Sequence, residues 1–158
     1  MRFGIGYDTH SFTKGDHVMI GGVRIPHSKG IKAHSDGDVL LHAIIDAIFG
    51  ASGLGDIGTH FPDNDGLFKN ADSRHLLKKT NSLIARNKFL VHNIDATIIA
   101  EQPKISPFCD DIKSAIAVDL DIPPSFVNVK GTTNENMGFI GRGEGIAALA
   151  ICSLKEIS

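Results

Sequence analysis

The chain is 158 residues long, enough for one domain with its own core and too short for two comfortable ones. Sixteen basic residues against eighteen acidic give a formal charge of −2, without the basic excess of a nucleic-acid binder. No run reaches the ~18 apolar residues of a membrane span, and with nine Phe, one Tyr and no Trp the core must rest on Ile, Leu, Val and Ala.

In chain order, residues 2–10 (RFGIGYDTH) alternate like a strand that ends in polar residues. Residues 17–25 (HVMIGGVRI) predict a hairpin folded at Gly21–Gly22, and a turn-rich loop follows over 26–37. Asp36 or Asp38 is placed to cap a helix reaching Gly50 or Ser52, with Leu41, Ile44, Ile45 and Ile48 on its apolar face. Residues 53–71 predict a long functional loop with turn signals at Pro62 and Gly66. Asp72 or Ser73 caps a second helix to about Asn87, and residues 89–99 predict a strand. Ser106 is expected to cap a helix over 107–120; residues 127–132 form a strand, then a Gly-rich turn leads to a last strand over 144–154. Ala is a weak strand former, so that last segment has the least local support. The order implies one domain over 1–158, α+β, with helices on one face of a mixed sheet.

Cys109 and Cys152 have no CxxC spacing and read as reduced, partly buried thiols. The N-terminus lacks the long apolar run of a signal peptide, so the expected compartment is the cytoplasm, or a plastid stroma after loss of a transit peptide.

Three clusters carry chemistry. Asp8 and His10, two apart on a strand, share a face about 7 Å apart along the chain. They offer one oxygen and one nitrogen, a donor set that suits Zn²⁺. Alone, the pair also fits a surface carboxylate beside a hydrogen-bonded His. His42, flanked by VLL and AII, alone fits a core histidine. Together Asp8, His10 and His42 give three ligands and an open fourth position, the pattern of catalytic zinc. Asp38 and Asp46 lie four residues either side of His42 on the helix, so either could orient an imidazole from behind. The third cluster is GTTNE at 131–135 with GFIGRGEG at 138–145. Its hydroxyls, backbone N–H groups and Arg142 could hold phosphate oxygens, and Glu135 could bind Mg²⁺ or Mn²⁺. A Gly-rich hairpin with a capping Thr explains it equally well. GLGDIG at 53–58 matches the dinucleotide fingerprint literally but follows a helix, so that reading fails. No GxSxG and no activated Cys supplies a nucleophile.

GYDTHSF at 6–12, IGGVRIP at 20–26, AHSDGDVLLHAIIDAIFGA at 33–51, LGDIGTHFPDND at 54–65, ADSR at 71–74, DATIIAEQPKI at 95–105 and VNVKGTTNENMGFIGRGEGIAA at 127–148 span nearly the whole chain. In these segments it resembles the 2-C-methyl-D-erythritol 2,4-cyclodiphosphate synthase family. The resemblance implies a homotrimer, with sheets lining the three-fold axis and active sites between neighbours. It implies Zn²⁺ on Asp8, His10 and His42, and Mg²⁺ or Mn²⁺ on Glu135 and the substrate phosphates. The implied substrate contacts around the first metal are Asp8, Thr9, His10, His34 and Ser35. Asp63 joins His34 and Ser35 on the polyol and 2-phosphate, Asp56 and Gly58 fit ribose, and Ile57, Phe61, Pro62, Asn64 and Asp65 are further implied contacts. The adjacent subunit supplies the cytidine and phosphate pocket from Ala100, Glu101, Gln102, Pro103, Lys104 and Ile105, with Gly131, Thr132 and Thr133, and Ser106, Asn134 and Glu135 are further implied contacts. Phe139 and Arg142 fall where the family lines an axial cavity. Leu149 stands where related chains often place Glu or Gln.

The implied reaction turns 4-diphosphocytidyl-2-C-methyl-D-erythritol 2-phosphate into a cyclic diphosphate and CMP. His34 and Thr133 are expected to donate hydrogen bonds to the charge developing at phosphorus. The alternatives are a phosphohydrolase using the same ligands, a non-catalytic nucleotide binder, and a structural zinc site, for which no fourth protein ligand is evident.

Overall fold

A computed structural model describes residues 1–62 and 71–157. Strand β1 is Arg2–Thr13. Strands β2 (His17–Ile20) and β3 (Val23–Pro26) form the expected hairpin. Gly21 and Gly22 have φ of +61° and +77°, the left-handed pair that a two-residue turn requires. The loop after it contains a two-residue strand, β4 (Gly30–Ile31). Helix α1 is Val39–Ser52. A short helix α2, Ile57–His60, lies inside the segment expected to be loop, because Asp56 caps it by accepting from Thr59 N at 2.8 Å. Helix α3 (Ser73–Arg86) and strand β5 (Phe89–Ile99) follow as expected. Helix α4 is Cys109–Leu120. Ser106 does not cap it: Ser106–Phe108 forms a 3-10 turn first, and neither start has a side-chain cap. Strand β6 is Val127–Thr132, the Gly-rich turn holds a one-turn helix α5 (Gly138–Gly141), and β7 is Gly145–Glu156.

Five strands make one mixed sheet in the order β4-β1-β7-β5-β6, while β2 and β3 form a separate ribbon. β7 runs antiparallel to both β1 and β5, and β5 runs parallel to β6. This central position explains why an Ala-rich segment forms a strand: both of its edges are hydrogen-bonded, and small side chains admit a helix above.

Helices α1, α3 and α4 pack on one face. Along β1 the even residues face them, and Gly4 and Gly6 let α1 sit against the backbone. A Cβ on Gly4 would lie 2.0 Å from the Ala47 oxygen, and one on Gly6 1.9 Å from the Ala43 oxygen. Ala43 and Ala47, four apart on α1, supply the matching small stripe. The core beneath is Leu40, Leu41, Ile44, Ile45 and Ile48 with Ile94, Ile98, Ile146 and Leu154, all buried.

The odd residues of β1 point the other way. Phe3, Ile5 and Tyr7 are exposed there, opposite Ile151 and Leu149 of β7. The helices leave this apolar face uncovered in one chain. No helix among the described residues is long and apolar enough to cross a membrane.

Candidate active site

Asp8 and His10 lie on the helix-facing side of β1, and His42 is in the first turn of α1 directly above. The close approach at Gly6 and Ala43 brings the two elements together at this point. Asp8 Oδ2 is 3.0 Å from His10 Nε2 and 3.0 Å from His42 Nδ1, and the two imidazole nitrogens are 3.2 Å apart. Three ligands about 2.0–2.1 Å from a tetrahedral Zn²⁺ would be about 3.3 Å from one another. The triangle is already near that size, so the donor set fits such an ion. Among the described residues this is the one group of His, Cys, Asp and Glu that could hold a metal, and no fourth joins it. Burial by itself would raise the Asp8 carboxyl, but hydrogen bonds and charge from His10 and His42 outweigh it and hold it down to about 2. Burial likewise opposes charge on His42, yet Asp8 raises it above the ordinary imidazole value.

Behind His42, Nε2 lies 3.0 Å from Ser73 Oγ and 3.3 Å from Ser35 Oγ. Ser73 Oγ donates a short hydrogen bond to Asp36 Oδ1. The carboxylates expected to orient His42 are otherwise engaged. Asp38 caps α1 through Leu41 N at 3.0 Å and holds the hairpin turn through Gly21 N and Gly22 N at 2.9 and 2.7 Å. Asp46 accepts from Ile57 N at 2.8 Å. The outer support of His42 is therefore a serine and an aspartate from before α1 and the start of α3.

Asp8, His10 and His42 line a cavity of about 290 Å³ with Lys32, His34, Ser35, Asp46, Ile57, Gly58, Phe61 and Leu76. Lys32 was not among the expected contacts; its place two residues before His34 was the available signal. Thr9 is not brought here. It faces the opposite side of the sheet, and its hydroxyl donates to the Ile146 carbonyl at 3.0 Å. Asp56 is exposed and committed to capping α2, and Pro62 does not line the cavity. Asp63, Asn64 and Asp65 lie outside the described residues.

A second cavity, also about 290 Å³, is lined by Ala100, Glu101, Pro103, Lys104, Ile105, Ser106, Gly131, Thr132 and Thr133. Glu101 shapes its rim: Oε1 accepts from Asn134 N at 2.9 Å and Asn136 N at 3.1 Å. That clamp supports Glu135 and Asn136 at φ +52° and +58°, a region that side-chain-bearing residues seldom occupy. Thr133 Oγ1 donates to Glu135 Oε1 at 3.2 Å. Gln102 borders a different depression, with His27, Lys29 and Arg142. Arg142 pairs with Glu144 at 2.8 Å, and Phe139 is exposed.

The two cavities share no lining residue. Both open at one end of the sheet, since His10 pairs with Ile146 and Ile99 with Ala147. At about 4.8 Å per strand, β1 and β6 are some 14 Å apart across β7 and β5.

The sequence matches the model of the YgbB family over residues 1–155. The chain belongs to the YgbB family. A 2-C-methyl-D-erythritol 2,4-cyclodiphosphate synthase of Stutzerimonas stutzeri is 54% identical over 154 residues, covering 98% of each chain. The fold agrees with that of IspF of Plasmodium falciparum in a CDP complex, at TM-score 0.86 and 36% identity over 99% of this chain and 97% of that one. It also agrees with the bifunctional IspDF of Campylobacter jejuni, at TM-score 0.95 and 45% identity. There it covers 99% of this chain but 42% of the longer one. The mixed five-stranded sheet with helices is thus the fold of its relatives in the YgbB family.

Proposed function

We propose that this YgbB chain, as one domain over residues 1–158, is a lyase. It cyclises 4-diphosphocytidyl-2-C-methyl-D-erythritol 2-phosphate to 2-C-methyl-D-erythritol 2,4-cyclodiphosphate and releases CMP, in the non-mevalonate route to isoprenoids. The observation that carries the reading is the triangle of Asp8 Oδ2, His10 Nε2 and His42 Nδ1 at the wall of a polar cavity.

An oxygen of the substrate's 2-phosphate attacks the β-phosphorus of its own diphosphate. The new P–O bond closes an eight-membered ring, and the bridge to the α-phosphate breaks with its electron pair leaving on CMP. The nucleophile is already an anion, which accounts for the lack of a protein nucleophile or base. The difficulty is charge, because one phosphate must approach another. Zn²⁺ on Asp8, His10 and His42, with Mg²⁺ or Mn²⁺ on Glu135, would supply Lewis acidity and offset that charge. His34 donates a hydrogen bond to the phosphoryl oxygens, and Thr133 does so once its hydroxyl turns from Glu135 on substrate binding, each such donor contributing about 3–4 kcal/mol to the transition state. Ser35 and His34 hold the erythritol arm folded, and an intramolecular reaction gains from that positioning. Residues 100–106 and 131–133 receive the cytidine diphosphate, as the CDP complex of the Plasmodium relative supports.

A homotrimer joins the two halves. The metal cavity and the nucleotide cavity share no residue within one chain, and a neighbour's nucleotide cavity can complete the site. The uncovered apolar face of Phe3, Ile5, Tyr7, Leu149 and Ile151 supports packing of sheets about an axis. The compartment that fits is the cytoplasm or a plastid stroma.

The test is incubation with this substrate, Zn²⁺ and Mg²⁺, with products read by ³¹P NMR. A cyclic diphosphate and CMP in equal amounts are expected. An opened monophosphate carrying solvent oxygen would replace the cyclase with a hydrolase.

A further inference from the structure

We propose that Ser73 and Asp36 are positioning residues for the metal centre: they keep the His42 proton on Nε2 and the Nδ1 lone pair turned toward Asp8 and His10. This rests on the reading of Asp8, His10 and His42 as metal ligands.

A neutral imidazole has one N–H and one lone pair, and a metal ligand must present the lone pair. The surroundings of Nδ1 work against this. Its neighbour at 3.0 Å is the Asp8 carboxylate, which accepts hydrogen bonds and so favours a proton on Nδ1, the wrong tautomer for binding a cation. The bias has to come from the other side of the ring.

At Nε2 the nearest group is the Ser73 hydroxyl, at 3.0 Å. A hydroxyl can donate or accept, but here its direction is set. Ser73 Oγ donates to Asp36 Oδ1, and an ionised carboxylate can only accept. With its hydrogen committed, Ser73 turns lone pairs toward His42, and Nε2 must carry the proton. Ser73 is fully buried, so water does not compete for the hydroxyl. Ser35 Oγ, 3.3 Å from Nε2, accepts from Gly37 N at 3.2 Å and has a lone pair left to accept from Nε2 as well; being farther from the ring than Ser73, it does not set the tautomer.

Asp36 is itself immobilised. Its Oδ2 accepts from Ser73 N at 3.0 Å, its Oδ1 also accepts from Asp38 N at 3.2 Å, and its own N–H donates to the Ala71 carbonyl at 3.2 Å. The result is the carboxylate support common behind metal-bound histidines, with a serine hydroxyl inserted between carboxylate and ring. A purely structural role for Asp36, anchoring the start of α3, needs only the bond to Ser73 N. Ser73→Ala keeps that bond and the Asp72 cap, so it separates the two roles.

The experiment uses the metal-free protein at pH 9 and reads the imidazole nitrogens by ¹⁵N–¹H correlation NMR. Wild-type His42 is expected as the Nε2–H tautomer, with Ser73→Ala and Asp36→Asn moving population to Nδ1–H. Zn²⁺ affinity, measured by chelator competition without substrate, is expected to fall about 10–100-fold in both variants. A wild-type Nδ1–H tautomer would overturn the proposal even if neither variant folds. So would a folded Ser73→Ala protein that binds Zn²⁺ within twofold of wild type. Absence of Zn²⁺ binding by the wild type would remove the metal reading along with it, whereas a wrong product in the turnover assay would leave this inference standing.

Discussion

Asp8 and His42 meet at 3.0 Å across 34 residues of sequence, one on a strand and the other on the helix packed over it. The contact exists because Gly6 has no Cβ to hold α1 away from β1, and the candidate chemistry depends on that spacing.

Removing His42 tests the chemistry directly. His42→Ala takes one of three donors from the cluster, and its site is at the cavity wall rather than in the apolar core. We expect a folded protein by circular dichroism, loss of bound zinc by metal analysis, and turnover lower by about 10²–10⁴-fold, the equivalent of several kcal/mol. Normal turnover in metal-depleted buffer would contradict the assignment.

The glycine contact makes a paired prediction on stability. Gly6→Ala would place a Cβ 1.9 Å from the Ala43 oxygen, and backbone cannot yield as a side chain can. A cost of about 3 kcal/mol, or roughly 6–12 °C in Tm, is expected, together with weaker zinc binding as α1 is displaced. Gly50→Ala in the same helix meets nothing nearer than the Ile5 oxygen at 3.9 Å. It should raise Tm slightly, by about 0.5–1 kcal/mol of stability. Equal melting shifts for the two variants would show that close packing at Gly6 is not the cause.

Glu101 is expected to act through the loop it clamps. Glu101→Ala leaves the Asn134 and Asn136 N–H groups without their acceptor, at a cost of about 1.5–3 kcal/mol to the loop conformation. Hydrogen exchange should quicken at 133–136, and the Mg²⁺ requirement and the KM should rise while zinc content stays at wild-type level. Zinc loss instead would mean that the two cavities are coupled within one chain.

Lys32 lines the metal cavity beside two carboxylates, Asp8 and Asp46. For a substrate with several phosphates, Lys32→Ala should raise KM by about tenfold and reduce its salt dependence, with Lys32→Arg close to wild type. Steady-state kinetics at two ionic strengths reads both; an unchanged KM would exclude contact with the phosphates.

The cysteines differ in reactivity for a physical reason. Burial pushes the Cys152 thiol up to about 12, so almost none is thiolate at pH 8, whereas Cys109 is partly exposed with a smaller rise. Iodoacetamide at pH 8 should label Cys109 first and Cys152 only on unfolding, as peptide mapping would reveal. Since both values are raised, labelling should accelerate as pH increases.

Much was legible locally. The alternation of β1, the left-handed turn at Gly21–Gly22 and the Asp38 cap each depend on residues within a few positions, and all three are found. The donor types were legible too, because Asp8 and His10 share a strand face and His42 interrupts an apolar helix. The start of α4 was misread because Ser106 resembles a cap, while Pro107 favours a tight turn and no side-chain acceptor reaches the helix. Helix α2 was missed because four residues are too few to show a period.

By itself, the sequence determined the long elements, the chemistry of the donors and the family resemblance, since these follow from short-range propensity and residue type. Only the tertiary structure decided that Ser73 and Asp36, not Asp38 or Asp46, stand behind His42, and that Lys32 joins the cavity beside the Asp8, His10 and His42 triangle. Those outcomes depend on how far α1 sinks onto β1 and where the start of α3 meets the chain before α1. Such long-range packing distances are set by many side chains at once, and no spacing within a single segment encodes them.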